Sequence, residues 1–149
     1  MIRYAVVGTG WIARSFIAGA SMVPGLSLAA VYSRREDTGR AFLADVDPSL
    51  PVFTDLEALA ASPSIDAVYI ASPNHMHYAQ SKVFLQHGKH VICEKPITVR
   101  PEELIELQAL AESRHLIYME AILMCHLPQR GLVRQALPAL GRIRSAHID

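Results

Sequence analysis

The chain has 149 residues, enough for one domain with its own core and too few for two of ordinary size. Hydrophobic residues make up 51% and charged residues 19%, which excludes a disordered segment, and no run approaches the roughly 20 consecutive apolar residues of a membrane-spanning helix. Lys plus Arg equals Asp plus Glu at 14 each, so no net field draws the chain to nucleic acid or to an anionic membrane, and neither is expected as a partner.

In chain order, Met1 leads straight into a strand-like run, with no room for a secretory leader. With only Cys93 and Cys125, a reduced, cytoplasmic setting is the default. Apolar strand-sized runs then alternate with amphipathic stretches, the pattern of repeated βαβ units. Strands are predicted at Ile2–Gly8, Leu26–Ser33, Val52–Phe53, Ala67–Ala71, His90–Cys93 and Leu116–Met119, and helices at Trp11–Met22, Glu36–Ala44, Leu56–Ala61, His75–His87 and Pro101–Ser113. The last helix is the clearest: Leu104, Leu107 and Ala111 recur at helical spacing, Pro101 suits a first turn, and Glu102 and Glu103 complement the dipole there. Gly88 is placed to end the helix before it in a left-handed conformation. Another helix is expected within Leu127–Ala139, and Ile143–Ile148 alternates like a strand, with no partner in its own run. Strands separated by helices of this length imply a doubly wound, mainly parallel α/β sheet of Rossmann type.

The strongest local signal is Gly8-Thr9-Gly10-Trp11-Ile12-Ala13, directly after a strand and opening a helix. In that context Gly8 permits the tight turn, Gly10 lets the backbone approach a pyrophosphate, and Ala13 keeps helix and sheet close, while the helix N-terminus offers unpaired N–H groups to phosphates. The bland alternative is a tight βα turn with no ligand. At the end of the second strand, where NAD sites place a carboxylate for the ribose 2′-hydroxyl, the chain has Ser33-Arg34-Arg35. A hydroxyl and two guanidinium groups suit a 2′-phosphate, which points to NADP. Asp37 keeps NAD possible, and the arginines also read as solvated loop residues. Ser72-Pro73-Asn74 and Glu94-Lys95-Pro96 follow the fourth and fifth strands, at the strand ends where an open parallel sheet binds its ligand. Lys95 there is a candidate to bond a substrate oxygen during hydride transfer; taken alone it also reads as an ordinary exposed lysine. His75-x-His77 and His87-x-x-His90 lack the Cys or carboxylate companions of a metal site, so no metal is expected. Cys93 reads as a small core residue.

Together, Gly8–Ala13, Ser72-Pro73-Asn74 with His77, and Glu94-Lys95-Pro96 resemble the glucose–fructose oxidoreductase/inositol dehydrogenase (Gfo/Idh/MocA) family in order and spacing. Glu120-Ala121, Pro128 and Leu140-Gly141-Arg142-Ile143 resemble its passage into a second domain. The resemblance implies an oxidoreductase moving a hydride between nicotinamide and a small hydroxylated or carbonyl substrate, such as a sugar or polyol. It implies that Gly8, Gly10 and Ile12 line the pyrophosphate and nicotinamide side of the cofactor, and that Ser33 and Arg34 meet the 2′-phosphate; Thr9, Trp11 and Arg35, beside them in the chain, are further candidate cofactor contacts. Ser72, Pro73, Asn74 and His77 would edge the cofactor cleft, Glu94 would fix the nicotinamide ribose, and Lys95 would contact the reacting oxygen. A cis Lys95–Pro96 bond is expected. Cys125 stands where relatives commonly carry Arg, which puts the substrate contacts in doubt. Full-length members are more than twice this size.

The expected division is therefore a cofactor-binding domain at residues 1–120 and, at 121–149, the start of a truncated substrate and dimerisation domain. The isolated chain is expected to bind NADP(H) without appreciable turnover, and a homo-oligomer is possible. Two other readings stay open: a non-catalytic NADP(H)-sensing module, and a methyltransferase using S-adenosylmethionine through a similar glycine-rich turn.

Overall fold

The computed structural model describes residues 1–142 and 144–145. Six strands, β1 (Ile2–Val7), β2 (Leu26–Tyr32), β3 (Val52–Phe53), β4 (Ala67–Ile70), β5 (His90–Cys93) and β6 (Tyr118–Glu120), form one sheet in the order β3-β2-β1-β4-β5-β6. Every pairing is parallel. Helices α1 (Trp11–Ala20), α2 (Glu36–Leu43), α3 (Leu56–Ala61), α4 (Asn74–Gln86) and α5 (Pro101–Ser113) connect them in turn. This is the doubly wound α/β sheet expected from the sequence, with its strand order reversing between β1 and β4.

Alternation along the strands divides the core. Ala5 and Val7 of β1, Val68 and Ile70 of β4, and Val91 and Cys93 of β5 pack with Leu59 of α3, Phe84 of α4 and Leu107 of α5. Tyr4, Val6 and Tyr69 face the other way, against Ala13 and Ile17 of α1 and Phe42 and Leu43 of α2. Successive strand residues point to opposite faces, so a run buried on both sides must be apolar throughout, as β1 is.

The expected bounds hold to within a residue or two, and the differences have local causes. β6 begins at Tyr118 rather than Leu116 because α5 ends through His115, whose positive φ of 56° lets the Leu116 N–H bond back to the Ala111 carbonyl at 2.9 Å. Leu116 therefore still belongs to the helix cap. Gly88 closes α4 in the same way, at φ 75°, with the Lys89 N–H on the Phe84 carbonyl at 2.9 Å. The helix expected within Leu127–Ala139 is α6 (Gln129–Ala136), followed by a 3-10 turn at Leu137–Leu140. The strand expected at Ile143–Ile148 lies largely outside the described residues. Among the described residues no helix is long and apolar enough to cross a membrane.

The register positions the site. Val7 pairs with Tyr32 on one side and Ile70 on the other, and Ile70 pairs with Cys93. The residues that follow, Ser33, Gly8, Ala71 and Glu94, therefore emerge side by side along the C-terminal edge of the sheet.

Candidate active site

At the centre of that edge the chain leaves β1 through Gly8, at φ 113°. A Cβ there would lie 2.6 Å from the carbonyl oxygen of Ala71, so the turn needs glycine both for its conformation and for its close approach to β4. Gly10 is different. It caps α1 with no side-chain hydrogen bond, the first turn carries no acidic residue, and a Cβ at Gly10 would meet no atom within 4 Å. Among the described residues the first N–H groups of α1 have no protein acceptor, the arrangement that receives a phosphate.

A cleft of about 270 Å³ opens there, bounded by Gly8, Thr9 and Gly10 on one side, Ser33, Arg34 and Arg35 on another, and Ser72 and Pro73 on the third. The structure thus gathers three segments singled out in the sequence. Arg34 has no hydrogen-bond or ion-pair partner among the described residues. Arg35 is tied to Asp37, with its Nε donating to Oδ1 at 3.0 Å and its guanidinium also on Oδ2. That contact, with the Thr38 N–H on Oδ1 at 2.7 Å, holds the Asp37 carboxyl below its ordinary range. Ser33 is buried, and its hydroxyl accepts from the Arg35 N–H at 3.4 Å.

A second hollow of about 250 Å³ continues across the sheet, lined by Trp11, Ile12, Ala71, Ser72, Asn74, Glu94 and Lys95. Lys95 is exposed at its rim, and the Lys95–Pro96 peptide is cis, as expected. Glu94 is anchored through its backbone, the N–H donating to Ile70 at 2.9 Å, and through its carboxylate, which accepts from the Tyr69 hydroxyl and, at 3.2 Å, from the Lys95 N–H. Burial and this hydrogen bond push the Tyr69 hydroxyl well above its usual range.

His77 does not edge the cleft. It is fully buried on the sheet side of α4, with its ring nitrogens 2.8 Å from the carbonyl oxygens of Pro96 and Ser72. It therefore ties the loop after β4 to the loop after β5 from beneath. Its helical neighbour Gln80, also buried, accepts from the Ser72 hydroxyl at 2.6 Å and reaches the cleft. Gln80, Thr38 and Tyr69 were not singled out from the sequence. The available signal was a polar residue three positions from His77 on a helix face that is otherwise buried. Cys125 is exposed, and His126 borders a third, apolar hollow with Ile12, Phe16 and Leu123.

Comparison with known proteins agrees with this fold. The uncharacterized oxidoreductase YgjR of Escherichia coli K12 is 44% identical over the whole chain, which spans 45% of that protein. The scyllo-inositol 2-dehydrogenase (NADP(+)) IolU of Bacillus subtilis is 39% identical over 97% of the chain and 44% of its own length. The crystal structure of KijD10, a 3-ketoreductase from Actinomadura kijaniata, in complex with NADP and TDP-benzene superposes with a TM-score of 0.86 at 30% identity, over 93% of this chain and 42% of that one. The chain thus spans less than half the length of each. The GFO_IDH_MocA family, described as an oxidoreductase family with an NAD-binding Rossmann fold, matches residues 2–122, and this chain belongs to it.

Proposed function

We propose that this chain is the cofactor-binding part of an NADP(H)-dependent oxidoreductase acting on a small hydroxylated or carbonyl substrate, of the sugar or polyol class. In this reading residues 1–120 form the cofactor unit and residues 121–149 open a domain for substrate and dimerisation. One observation carries it: a single cleft at the reversal of strand order joins the bare N-terminus of α1 to Ser33, Arg34 and Arg35. The N–H groups of the first turn receive the pyrophosphate, and Gly10 leaves room for it. Arg34, unengaged among the described residues, pairs with the 2′-phosphate, while Arg35 holds Asp37 away from that position. The names of two relatives, one an NADP(+) dehydrogenase of an inositol and one a ketoreductase in complex with NADP, support both the cofactor and the substrate class.

Nicotinamide supplies or accepts the hydride when bound. The work of this chain is to orient and polarise. Glu94 accepts from hydroxyl groups of the nicotinamide half, and Lys95 donates to the reacting substrate oxygen, stabilising the negative charge that develops there. As 149 residues the chain binds cofactor and turns over slowly or not at all, because the substrate pocket draws on further chain.

Thermal-shift titration tests the reading. NADPH at about a hundred times its Kd stabilises by about 2.7 kcal/mol, a rise of roughly 5–10 °C in Tm for a chain of this size. NADH at the same concentration gives a smaller rise. No shift with either dinucleotide sinks the proposal, and a shift with S-adenosylmethionine alone replaces it with a methyltransferase.

A further inference from the structure

We propose that Tyr69 is a positioning residue for the nicotinamide half of the dinucleotide, holding the Glu94 carboxylate in the orientation that receives the second ribose. The proposal rests on the cofactor reading above.

The argument begins with β4. Val68 and Ile70 face α3, α4 and α5, so Tyr69 faces α1, where it is 3% exposed. Packing alone asks for an apolar ring at that place, and a buried phenol hydroxyl requires a partner. Tyr69 pairs with Ile92 of β5 in the register, and Glu94 follows on the same face of that strand, nearer the cleft. The Tyr69 ring reaches diagonally across this step, and its hydroxyl donates to Oε1 of Glu94.

The direction of the ring is itself fixed. Phe16 of α1 stacks on it with centroids 3.7 Å apart and planes 5° apart, and Tyr4 meets Phe16 edge-on at 5.7 Å and 87°. The packed aromatic group sets the hydroxyl, and the hydroxyl sets the carboxylate. Oε2 of Glu94 takes the Lys95 N–H at 3.2 Å. A carboxylate has about four acceptor sites; with two used, the rest are available to the hollow shared with Trp11, Ile12, Asn74 and Lys95. A dinucleotide with its 2′-phosphate at Arg34 and its pyrophosphate at Gly10 crosses the switch point toward β4 and β5. That path brings the hydroxyls of its second ribose, which are donors, to Glu94.

Two ligands separate this role from a general structural one. NADPH occupies both halves of the site, whereas adenosine 2′,5′-bisphosphate occupies only the adenosine half. By calorimetric titration Tyr69→Phe, which keeps the ring and its stacking, is expected to raise the Kd for NADPH about tenfold and leave that for the bisphosphate within about twofold of the starting chain. In a Glu94→Gln background the same change is expected to add less than about twofold, since the hydroxyl acts through that carboxylate. Unchanged NADPH binding, equal weakening of both ligands, or a full effect persisting beside Glu94→Gln overturns the proposal. If Tyr69→Phe does not fold, Glu94→Gln alone must lose NADPH and keep the bisphosphate; if it binds NADPH normally, the proposal fails. A starting chain that binds neither ligand removes the cofactor reading, and this role with it.

Discussion

Glycine 8 and glycine 10 look alike in the sequence and do different work. At Gly8 an alanine would meet both a positive φ and a backbone oxygen at 2.6 Å, so Gly8→Ala is expected to destabilise the fold by about 2–4 kcal/mol, visible as a lowered Tm without ligand. At Gly10 an added methyl group meets no protein atom. Gly10→Ala should keep the Tm of the parent and lose NADPH affinity, because the only thing in its way would be the ligand. Arg34 gives a second contrast. Arg34→Ala is expected to weaken NADPH about tenfold and NADH less than twofold in parallel titrations, since only the former carries the phosphate that this guanidinium would pair. That these residues gather at one cleft was legible because each signal is local: a glycine spacing, or a pair of basic residues at a strand end. Tyr69 was not, because its meaning depends on Glu94, 25 residues away. The burial of His77 was missed for the same reason, since its acceptors lie on two separate loops.

Among the elements, α2 shows how close packing reaches the site. A Cβ at Gly39 would stand 2.4 Å from Cγ1 of Val52 and 3.2 Å from Cβ of Ser33. Alanine favours a helix by ~1 kcal/mol, but Val52 is β-branched and stiff, so the overlap dominates. Gly39→Ala should lower stability by about 1 kcal/mol net and also reduce NADPH affinity by displacing Ser33. At the opposite end of the sheet, Arg3 clasps β1 to β4: its backbone N–H and Nε donate to Oδ2 of Asp66 at 2.8 and 3.0 Å, and its guanidinium donates to Oδ1 at 2.7 Å. These bonds hold the Asp66 carboxyl well below the usual carboxylate range. A carboxyl depressed by folding stabilises fully above its unfolded value, near pH 4, and that stabilisation is lost progressively as pH falls further. The Tm difference between the parent chain and Asp66→Asn should therefore be constant from pH 7 to about 5 and shrink below pH ~4. The strands and the longer helices were legible because strand-sized apolar runs alternate with longer amphipathic stretches. Boundaries such as that of β6 were not, since a helix cap closed by the left-handed His115 leaves no glycine to announce it.

At the scale of the molecule, alternation of strands and helices was enough to call for a parallel sheet, yet nothing in any one segment states which strand lies at the centre. That follows from long-range pairing. The first strand becomes central by pairing with β2 on one edge and β4 on the other. The two faces are also covered unequally. α1 and α2 pack on the side that carries Tyr4 and Val6, while on that side Ile92 of β5, Met119 of β6 and Ile117 just before β6 border an apolar hollow of about 290 Å³.

The central place of β1 has a consequence in time. It is synthesised before the other five strands of the sheet, and its Asp66 clasp is separated from Arg3 by 63 residues. At about 5–20 residues per second, the ribosome needs roughly 3–13 s to make that stretch. Throughout that interval the nascent chain carries an apolar strand with at least one bare edge, and with two until β2 is made, the kind of surface that chaperones recognise and that pairs with the wrong neighbour.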